Sequence, residues 1–230
     1  MLKRAYRALI SFDREQLTVA AFVGGGGGGS SPHKVLDVGC GYGRNAKFLR
    51  SRGINVTGVE INPEIVRANV VSGLPCMTVD EFARTSGNYN VLLMSHVIEH
   101  FPPRDLLHFV DGYLDRLEVG GSLVIATPLM SSNFYDDFDH VRPYQPMGLQ
   151  MVFGGDRAQV QYYARNKLAL RDLWFRRSPW RLHHHRARCL LGPMTRVLQA
   201  TDVAAAIAFR ASGGLLGRVD GWVGRFEKIA

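Results

Sequence analysis

The chain has 230 residues, of which 46% are hydrophobic and 21% charged, and its net charge is +8. This balance excludes a disordered or fibrous protein. No apolar run reaches transmembrane length, which predicts a cytoplasmic protein that is at most peripheral to a membrane. The three cysteines form no C-x-x-C pair, which excludes a zinc ribbon and a disulfide framework, and the positive charge favours an anionic partner.

Residues 1–31 are predicted to form a helix followed by a flexible linker. Apolar residues with helical spacing, among them Leu17, Ala20 and Ala21, indicate the helix. The segment 24–31 contains six glycines and two serines, a composition typical of a mobile linker. Two interpretations stay open: the helix opens and closes over a ligand as a lid, or it packs on the edge of a sheet.

A glycine-rich turn carries the first chemical signal. An apolar strand that contains Asp37 ends in Gly39, Gly41 and Gly43, and a helix-like segment follows. Glycines let a ligand approach the backbone, and a helix N-terminus offers free N–H groups. The next apolar run ends at Glu60, about 20 residues past the first glycine, where a carboxylate can reach a ribose hydroxyl. The pattern predicts a site for a nucleotide-like ligand.

The spacing of these glycines separates two classes of nucleotide site. Arg44 stands where the third glycine of a dinucleotide fingerprint belongs, so the pattern is G-x-G-x-G. With Asp37 before it, the segment resembles the first motif of class I S-adenosylmethionine-dependent methyltransferases, commonly (D/E)-x-G-x-G-x-G. The resemblance implies that S-adenosylmethionine is the cofactor. The implied cofactor-binding residues are Asp37, Gly39, Gly41, Gly43, Glu60, Ile61, Asp80, Glu81, Ser95 and His96.

Strands and helices alternate through residues 32–230, which are predicted to form one domain. The stretch from Leu117 to Ile125 resembles the L-x-P-G-G-x-L-x-I sequence before the fifth strand of that family, with Val119 in place of proline. The resemblance implies an α/β, Rossmann-like, doubly wound seven-stranded sheet, mostly parallel with an antiparallel last strand. The predicted strands are 33–38, 54–59, 75–79, 91–95 and 122–127, with strand six at 158–164 or 168–175 and strand seven within 217–227.

Residues 176–218 are predicted to form a basic helical insertion before the last strand, because the family joins its last two strands by a short hairpin. The arginine-rich segment 165–196 contains Trp174, Trp180 and a histidine triplet at 183–185. It favours contact with an anionic membrane surface or a lipid-linked substrate, and nucleic acid is a less favoured partner. A plain covering of the sheet by the helices also stays open.

The segment after strand five carries the signal for the acceptor. His140 and Arg142 lie in a sequence that resembles the D-x-x-H-x-R-P segment of bacterial methyltransferases associated with cell-surface polysaccharide assembly. The resemblance implies that Tyr135, His140 and Arg142 bind the substrate. His100 and His140 are the candidate general bases, since histidine accepts protons near neutral pH.

His96, Glu99 and His100 have the spacing of one face of a helical turn and, with His140, form a possible site for a divalent metal. The pattern resembles the Glu-x-x-Glu-His motif with a later histidine that some RNA 2′-O-methyltransferases and quinone-ring O-methyltransferases use. His96 replaces the first glutamate, and magnesium prefers oxygen ligands. A base role for His100 therefore ranks ahead of a metal, and no metal ligand is assigned.

The preferred prediction is methyl transfer from S-adenosylmethionine to an oxygen of a sugar, a phosphate or a lipid-linked glycan. An alternative within enzymes is O-methylation of a quinone-like ring or of an RNA ribose. From a different class of protein, the chain is a catalytically silent adaptor with the same fold. Binding of the methyl donor separates the enzymes from the adaptor.

Overall fold

The computed structural model describes residues 14–25, 33–131, 133–155, 161–181 and 192–230. Their strands are β1 (Lys34–Val38), β2 (Asn55–Glu60), β3 (Cys76–Thr78), β4 (Tyr89–Ser95), β5 (Leu117–Pro128), β6 (Leu168–Pro179) and β7 (Gly217–Lys228). Their α-helices are α1 (Arg14–Gly24), α2 (Arg44–Arg50), α3 (Pro63–Val71), α4 (Val79–Ala83), α5 (Pro103–Leu114), α6 (Pro146–Phe153) and α7 (Pro193–Ala211).

The seven strands of the described residues form one sheet in the order β3-β2-β1-β4-β5-β7-β6. The pairs from β3 to β5 are parallel, and β7 is antiparallel to both β5 and β6. This confirms the predicted Rossmann-like, mostly parallel sheet with an antiparallel last strand. Because the order reverses between β1 and β4, the carboxyl ends of these strands border the crevice where ligands bind in such sheets.

The central strands are buried on both faces, which explains their near-continuous apolar sequences. Successive residues point to opposite faces, so Leu36 and Leu92 belong to one core cluster and Val35, Val91 and Leu93 to the other. All five side chains are fully buried. The helices cover both faces, as expected for a doubly wound sheet.

The last strands differ from the prediction in their limits. Of the two ranges considered for strand six, 168–175 is the strand and forms part of β6. In the other range, residues 161–164 are not a strand and residues 158–160 lie outside the described residues. Antiparallel pairing with β7 extends β6 to Pro179, opposite Gly217, into the range assigned to the insertion. The connection between the two strands is therefore 180–216, shorter than the predicted 176–218, and α7 is its described helix.

The apolar residues that indicate helix α1 have different environments: Ala20 packs against the core, whereas Leu17 is 56% exposed and Ala21 is also exposed. The buried side chains of α1 are Glu15, Val19 and Val23. The valines join the core cluster beneath β1 and β5, so this helix shares the core of the main domain. The charged partners of Glu15, described below, set the rotation of the helix. Residues 1–13 and most of the glycine linker lie outside the described residues.

The basic segment 165–196 is partly neutralised by carboxylates of the same chain. Arg165 pairs with Asp115 and Arg171 pairs with Glu227, each at 2.9 Å. The histidine triplet at 183–185 lies outside the described residues. Within the described ranges, no helix combines the length and apolar character needed to cross a membrane.

Candidate active site

The glycine turn has the backbone that its sequence predicts. Gly39, Gly41 and Gly43 have φ values of +68°, +51° and +73°, a region that favours glycine. A Cβ on Gly39 would lie 2.7 Å from Val97 Cγ2, and one on Gly43 would overlap Leu74 Cδ2. At Gly41 a Cβ would meet no described atom within 4 Å. Two glycines therefore permit close packing, while the middle one faces open space.

Glu60 ends β2 directly beside this turn. Its carboxylate accepts hydrogen bonds from the Gly41 N–H at 2.9 Å and from the Asn62 N–H at 3.1 Å. Asn62 also caps α3, because its side chain accepts a hydrogen bond from the Glu64 N–H. The side chain of Ile61, next to Glu60, is 81% exposed and offers an apolar surface at the mouth of the crevice.

Asp37 lies under the glycine turn and is fully buried at 2% exposure. The pKa of this carboxyl group is raised from 3.8 to about 7, mainly because the group is buried. A backbone hydrogen bond from Ala46 opposes the rise in pKa, and the nearby charge of Glu60 adds to it. Asp37 therefore titrates near neutral pH before a ligand binds. A cationic ligand would favour its ionised form.

Asn69 supports the turn from α3, a role that the sequence does not predict. Its Nδ2 donates to the Gly41 carbonyl at 2.7 Å and lies 3.7 Å from the sulfur atoms of both Cys40 and Cys76. The two thiols are free and their sulfur atoms are 3.6 Å apart. A single asparagine within a helix gives no local signal of such a role.

Asp80 and Glu81, two of the implied cofactor-binding residues, have different environments. Glu81 completes a capping box with Thr78, in which each side chain bonds the backbone N–H of the other. The hydrogen bond from the Thr78 N–H lowers the pKa of the Glu81 carboxyl group. Asp80 is exposed in the same first turn of α4. Asp80 is thus the more available of the two carboxylates.

The turn after β4 contains a residue in an unusual conformation. Ser95 ends the strand, and His96 follows with a φ of +57°, in the left-handed region. A non-glycine residue is strained there unless its surroundings hold it. His96 Nε2 donates to Glu15 Oε1 at 2.8 Å, and its Nδ1 lies 3.4 Å from Glu99 Oε1. Burial opposes the charge, but the two carboxylates raise the pKa of His96 from 6.5 to about 9.

Glu15 connects α1 to the last two strands as well. Its second oxygen accepts from Arg176 Nη1 at 2.5 Å, and Arg176 Nε donates to Asp220 at 2.8 Å. Burial would raise the pKa of Glu15, but His96 and Arg176 lower it from 4.5 to about 2. Gly221 makes room for this cation, because a Cβ there would lie 2.8 Å from Arg176 Cζ. The network joins α1, β4, β6 and β7.

Replacement of Glu15 by glutamine is expected to lower the free energy of unfolding by about 2 kcal/mol, because His96 and Arg176 lose a charged acceptor. The value is below that of a fully buried pair since 40% of the His96 side chain is exposed. Depression of the Glu15 pKa stabilises the fold above pH 4.5, and this is lost as the pH falls toward 2. The raised His96 pKa stabilises it below pH 6.5, and this is lost as the pH rises toward 9.

The difference between wild type and variant is therefore expected to be largest between pH 4.5 and 6.5. Urea unfolding followed by circular dichroism across this range measures it. Leu17→Ala is the matched control on the exposed side of α1, and it should keep the wild-type pH dependence. If the free energies of unfolding of the wild type and of Glu15→Gln differed by the same amount at every pH, that result would contradict the network.

Glu99, His100 and His140 converge beside this network. Each offers one ligand atom, and these atoms lie within 4.8 Å of one another. His100 Nδ1 is 3.1 Å from the Asp139 carbonyl and His140 Nδ1 is 2.6 Å from the Phe134 carbonyl. Because a carbonyl oxygen only accepts, both Nδ1 atoms carry protons. In the neutral rings the lone pair is then on Nε2.

The backbone fixes this cluster in place. The N–H groups of Val141 and Arg142 donate to the Glu99 carbonyl at 2.9 and 3.1 Å. The Glu99 side chain is fully buried and accepts from Thr127 Oγ1 at 3.0 Å. The loop that contains His140 is therefore pinned to the turn that contains Glu99. His96 is not one of the three converging side chains, since its Nδ1 faces Glu99 from another side and its Nε2 contacts Glu15.

A cavity of about 240 Å³ opens beyond the ends of β4 and β5. Of the predicted substrate residues, only His140 is in its described lining, while Tyr135 is 60% exposed and packs edge-on against Phe134. The Arg142 guanidinium lies 5.6 Å from the Tyr144 ring centroid. The described lining consists of His96, Pro128, Ser131, Asn133, Phe134, His140, Arg176, Ser178, Arg181, Arg218 and Asp220.

Comparison with known proteins places this geometry in context. A family model described as a methyltransferase domain matches residues 14–190. A ubiquinone biosynthesis O-methyltransferase of Erwinia tasmaniensis is 35% identical over 85 residues, which cover 33% of this chain and 35% of that protein. The same enzyme of Xylella fastidiosa is 28% identical over 103 residues, or 41% of each chain. The chain thus matches well under half the length of these curated relatives.

A solved structure shares the fold over the whole chain. A SAM-dependent methyltransferase from Archaeoglobus fulgidus superposes with a TM-score of 0.60 at 18% identity, and the match covers 99% of this chain and 100% of that one. At this identity the similarity shows the fold alone. The superposition includes the seven-stranded sheet described above.

Proposed function

This chain belongs to the methyltransferase domain family, and we propose that it methylates a hydroxyl oxygen on an aromatic, quinone-like ring. It is an S-adenosylmethionine-dependent methyltransferase. The observation that supports an oxygen acceptor is the convergence of Glu99 and His100 on His140, which lines the cavity. A phenolic hydroxyl must lose its proton to react quickly, and a histidine nitrogen beside it supplies a proton acceptor.

The names of the curated relatives favour the ring over the sugar, phosphate or lipid-linked glycan that the sequence suggested. Both are O-methyltransferases of ubiquinone biosynthesis, although each match is partial. The association with polysaccharide assembly finds no support among the relatives reported above. Phe134 and Pro128 give the cavity an apolar surface suited to a flat ring.

The residues of the glycine turn fit S-adenosylmethionine. The open space at Gly41 admits a ligand against the backbone, and the adjoining Glu60 carboxylate suits two ribose hydroxyls. The Asp37 carboxylate would attract the positively charged methionine part of the cofactor to the buried end of the site. Ile61 and Asp80 would lie on either side of the adenine. Ser95 and His96 would lie along the path of the methyl group.

The reaction is an in-line displacement in which an oxygen–carbon bond forms as the sulfur–carbon bond breaks. Positioning of the two reactants supplies most of the acceleration. The proton of the acceptor hydroxyl would pass to Nε2 of His140 or His100, whose Nδ1–H groups are held by backbone carbonyls. These two bonds also orient the rings, whose centroids are 5.0 Å apart.

The same three side chains fit a divalent cation. Each histidine ring is oriented by a carbonyl at its far nitrogen, as metal-ligating histidines usually are, and Glu99 adds a buried carboxylate. Two nitrogens and one oxygen suit manganese, cobalt or zinc better than magnesium. Such an ion would supply Lewis-acid chemistry by lowering the pKa of a coordinated hydroxyl.

The acceptor class is tested by methyl transfer from labelled S-adenosylmethionine to catechol, to a methyl glycoside and to RNA. We expect label on the catechol oxygen, detected by chromatography of the methylated product. The wild type without acceptor is the control. Labelling of the glycoside or RNA instead of catechol would contradict the proposed acceptor, and absence of donor binding would contradict the enzyme itself.

A further inference from the structure

The cavity lining contains three arginines to which the proposed reaction gives no role. Arg176, Arg181 and Arg218 line it together with His96, and Asp220 is the one acid among the described lining residues. We propose that these cations form an anion subsite, which binds a carboxylate or phosphate group carried by the acceptor. The inference rests on the proposed function, since it specifies the class of hydroxylated ring that the site accepts.

The ion pairs at the cavity support the subsite. Asp220 and Glu15 neutralise Arg176, and Glu15 and Glu99 hold His96. These carboxylates are therefore engaged, and Arg181 makes no ion pair with any residue that the structure describes. The Arg181 guanidinium is left to pair with an anion that enters the cavity, and Arg218 adds a second guanidinium to the same lining.

The distance between the histidine cluster and the arginines can be spanned by one aromatic ring that carries a substituent. The donor site is at β1 and β2, the histidine cluster follows β4, and Arg218 stands at the start of β7. Neighbouring strands are about 4.8 Å apart, so β7 lies about 10 Å from β4. An aromatic ring with its hydroxyl at the histidines can extend a short anionic group toward the arginines, with Pro128 and Phe134 beside it.

The guanidinium group determines the kind of anion. Its planar fork of N–H donors matches the paired oxygens of a carboxylate or phosphate. Ser131, Asn133 and Ser178 add neutral polar groups to the same lining. The chemistry shared by both anions is a delocalised negative charge with at least two oxygens, and the two sources are separated by experiment.

The test compares three probes that share the same ring hydroxyls: catechol, 3,4-dihydroxybenzoate and 3,4-dihydroxyphenyl phosphate. Their binding to the full chain with saturating S-adenosylhomocysteine is measured by calorimetry, which does not depend on turnover. One anionic probe should bind about tenfold more tightly than catechol, the gain expected of a charge-assisted hydrogen bond. The Arg181→Gln/Arg218→Gln double variant should lose this preference while keeping its affinity for catechol.

Arg171→Gln is the matched control, since Arg171 is on β6 but pairs with Glu227 outside the cavity. It should keep the wild-type preference. Equal binding of all three probes by the wild type, no binding of either anionic probe, or a preference that survives in the double variant would overturn the subsite. Arginine-dependent binding of the anion without methyl transfer to any ring hydroxyl would leave the subsite standing and contradict the proposed function instead.

Discussion

Replacement of Glu60 by alanine is expected to weaken S-adenosylmethionine binding by about 100-fold. A hydrogen bond to a charged group contributes about 1.5–3 kcal/mol, and Glu60 offers two oxygens for two ribose hydroxyls. The Gly41 and Asn62 N–H groups hold the carboxylate at the turn, so it is positioned before the ligand arrives. Calorimetric titration with S-adenosylmethionine and S-adenosylhomocysteine measures both affinities, and the loss should be similar for the two ligands because they share the ribose.

The matched control is Glu64→Ala, which removes an exposed carboxylate in α3 that pairs with Arg67 on the same helix. It should leave both affinities unchanged. Because Glu60 also holds the turn, Glu60→Gln separates the two roles, since it keeps the shape and one acceptor oxygen. An unchanged affinity in Glu60→Ala would show that the ribose binds elsewhere, and with it the predicted roles of Ile61 and Asp80 would fail.

The donor half of the site could be predicted because its signals are local. The glycine turn needs positive φ at three positions, and glycine meets that need in the sequence itself. Glu60 follows at a spacing that one βαβ unit imposes. The Asn62 cap of α3 is likewise a pattern of adjacent residues. Periodicity and turn chemistry therefore determine these features without knowledge of the rest of the fold.

The acceptor half depends on residues that are far apart in the chain. Glu15 meets His96 across 81 positions and Arg176 across 161, and no local pattern reports such contacts. The same network explains why Leu17 is exposed although its apolar spacing indicates the helix. Glu15 faces inward against its two cations, and Leu17 therefore faces solvent.

The C-terminal limit of β6 likewise depends on a partner that is distant in the sequence. Residues from Arg176 to Pro179 have no strand signal of their own, and the sequence indicates only a basic insertion. Pairing with β7 extends β6 because each added residue gains ladder hydrogen bonds from a partner far along the chain. Tertiary pairing overrides local preference in this region.

The histidine that replaces the first glutamate of the metal-binding pattern also gains a physical explanation. His96 is charged and contacts Glu99 on one side and Glu15 on the other. A carboxylate at position 96 would face both of these acids and be repelled. The leading helix thus supplies an acid that makes a cation at this position favourable. Of the four residues of the possible metal site, only Glu99, His100 and His140 have ligand atoms that converge. The sequence alone does not show that His96 pairs with Glu15 instead.

The largest loss of turnover is expected when both candidate bases lose Nε2. Asparagine is the suitable replacement for His100 and His140, because its amide can still donate to the carbonyl that each Nδ1–H now contacts. General base catalysis contributes about 100-fold or more, so the double variant should lose about that factor in kcat. Its affinity for S-adenosylmethionine should stay within about twofold of the wild type, because neither ring belongs to the glycine turn.

The pH profile distinguishes a base from a residue that only shapes the cavity. Without Nε2 the hydroxyl must ionise by itself, so the rate of the double variant should keep rising with pH toward the pKa of the acceptor. The wild type, in which Nε2 accepts the proton, should reach its plateau at a lower pH than the variant. Dialysis of the wild type against EDTA should leave its rate unchanged if Nε2 is the base. A rate lost in EDTA and restored by manganese would assign the cluster to a cation instead, and parallel pH profiles in both proteins would contradict the base.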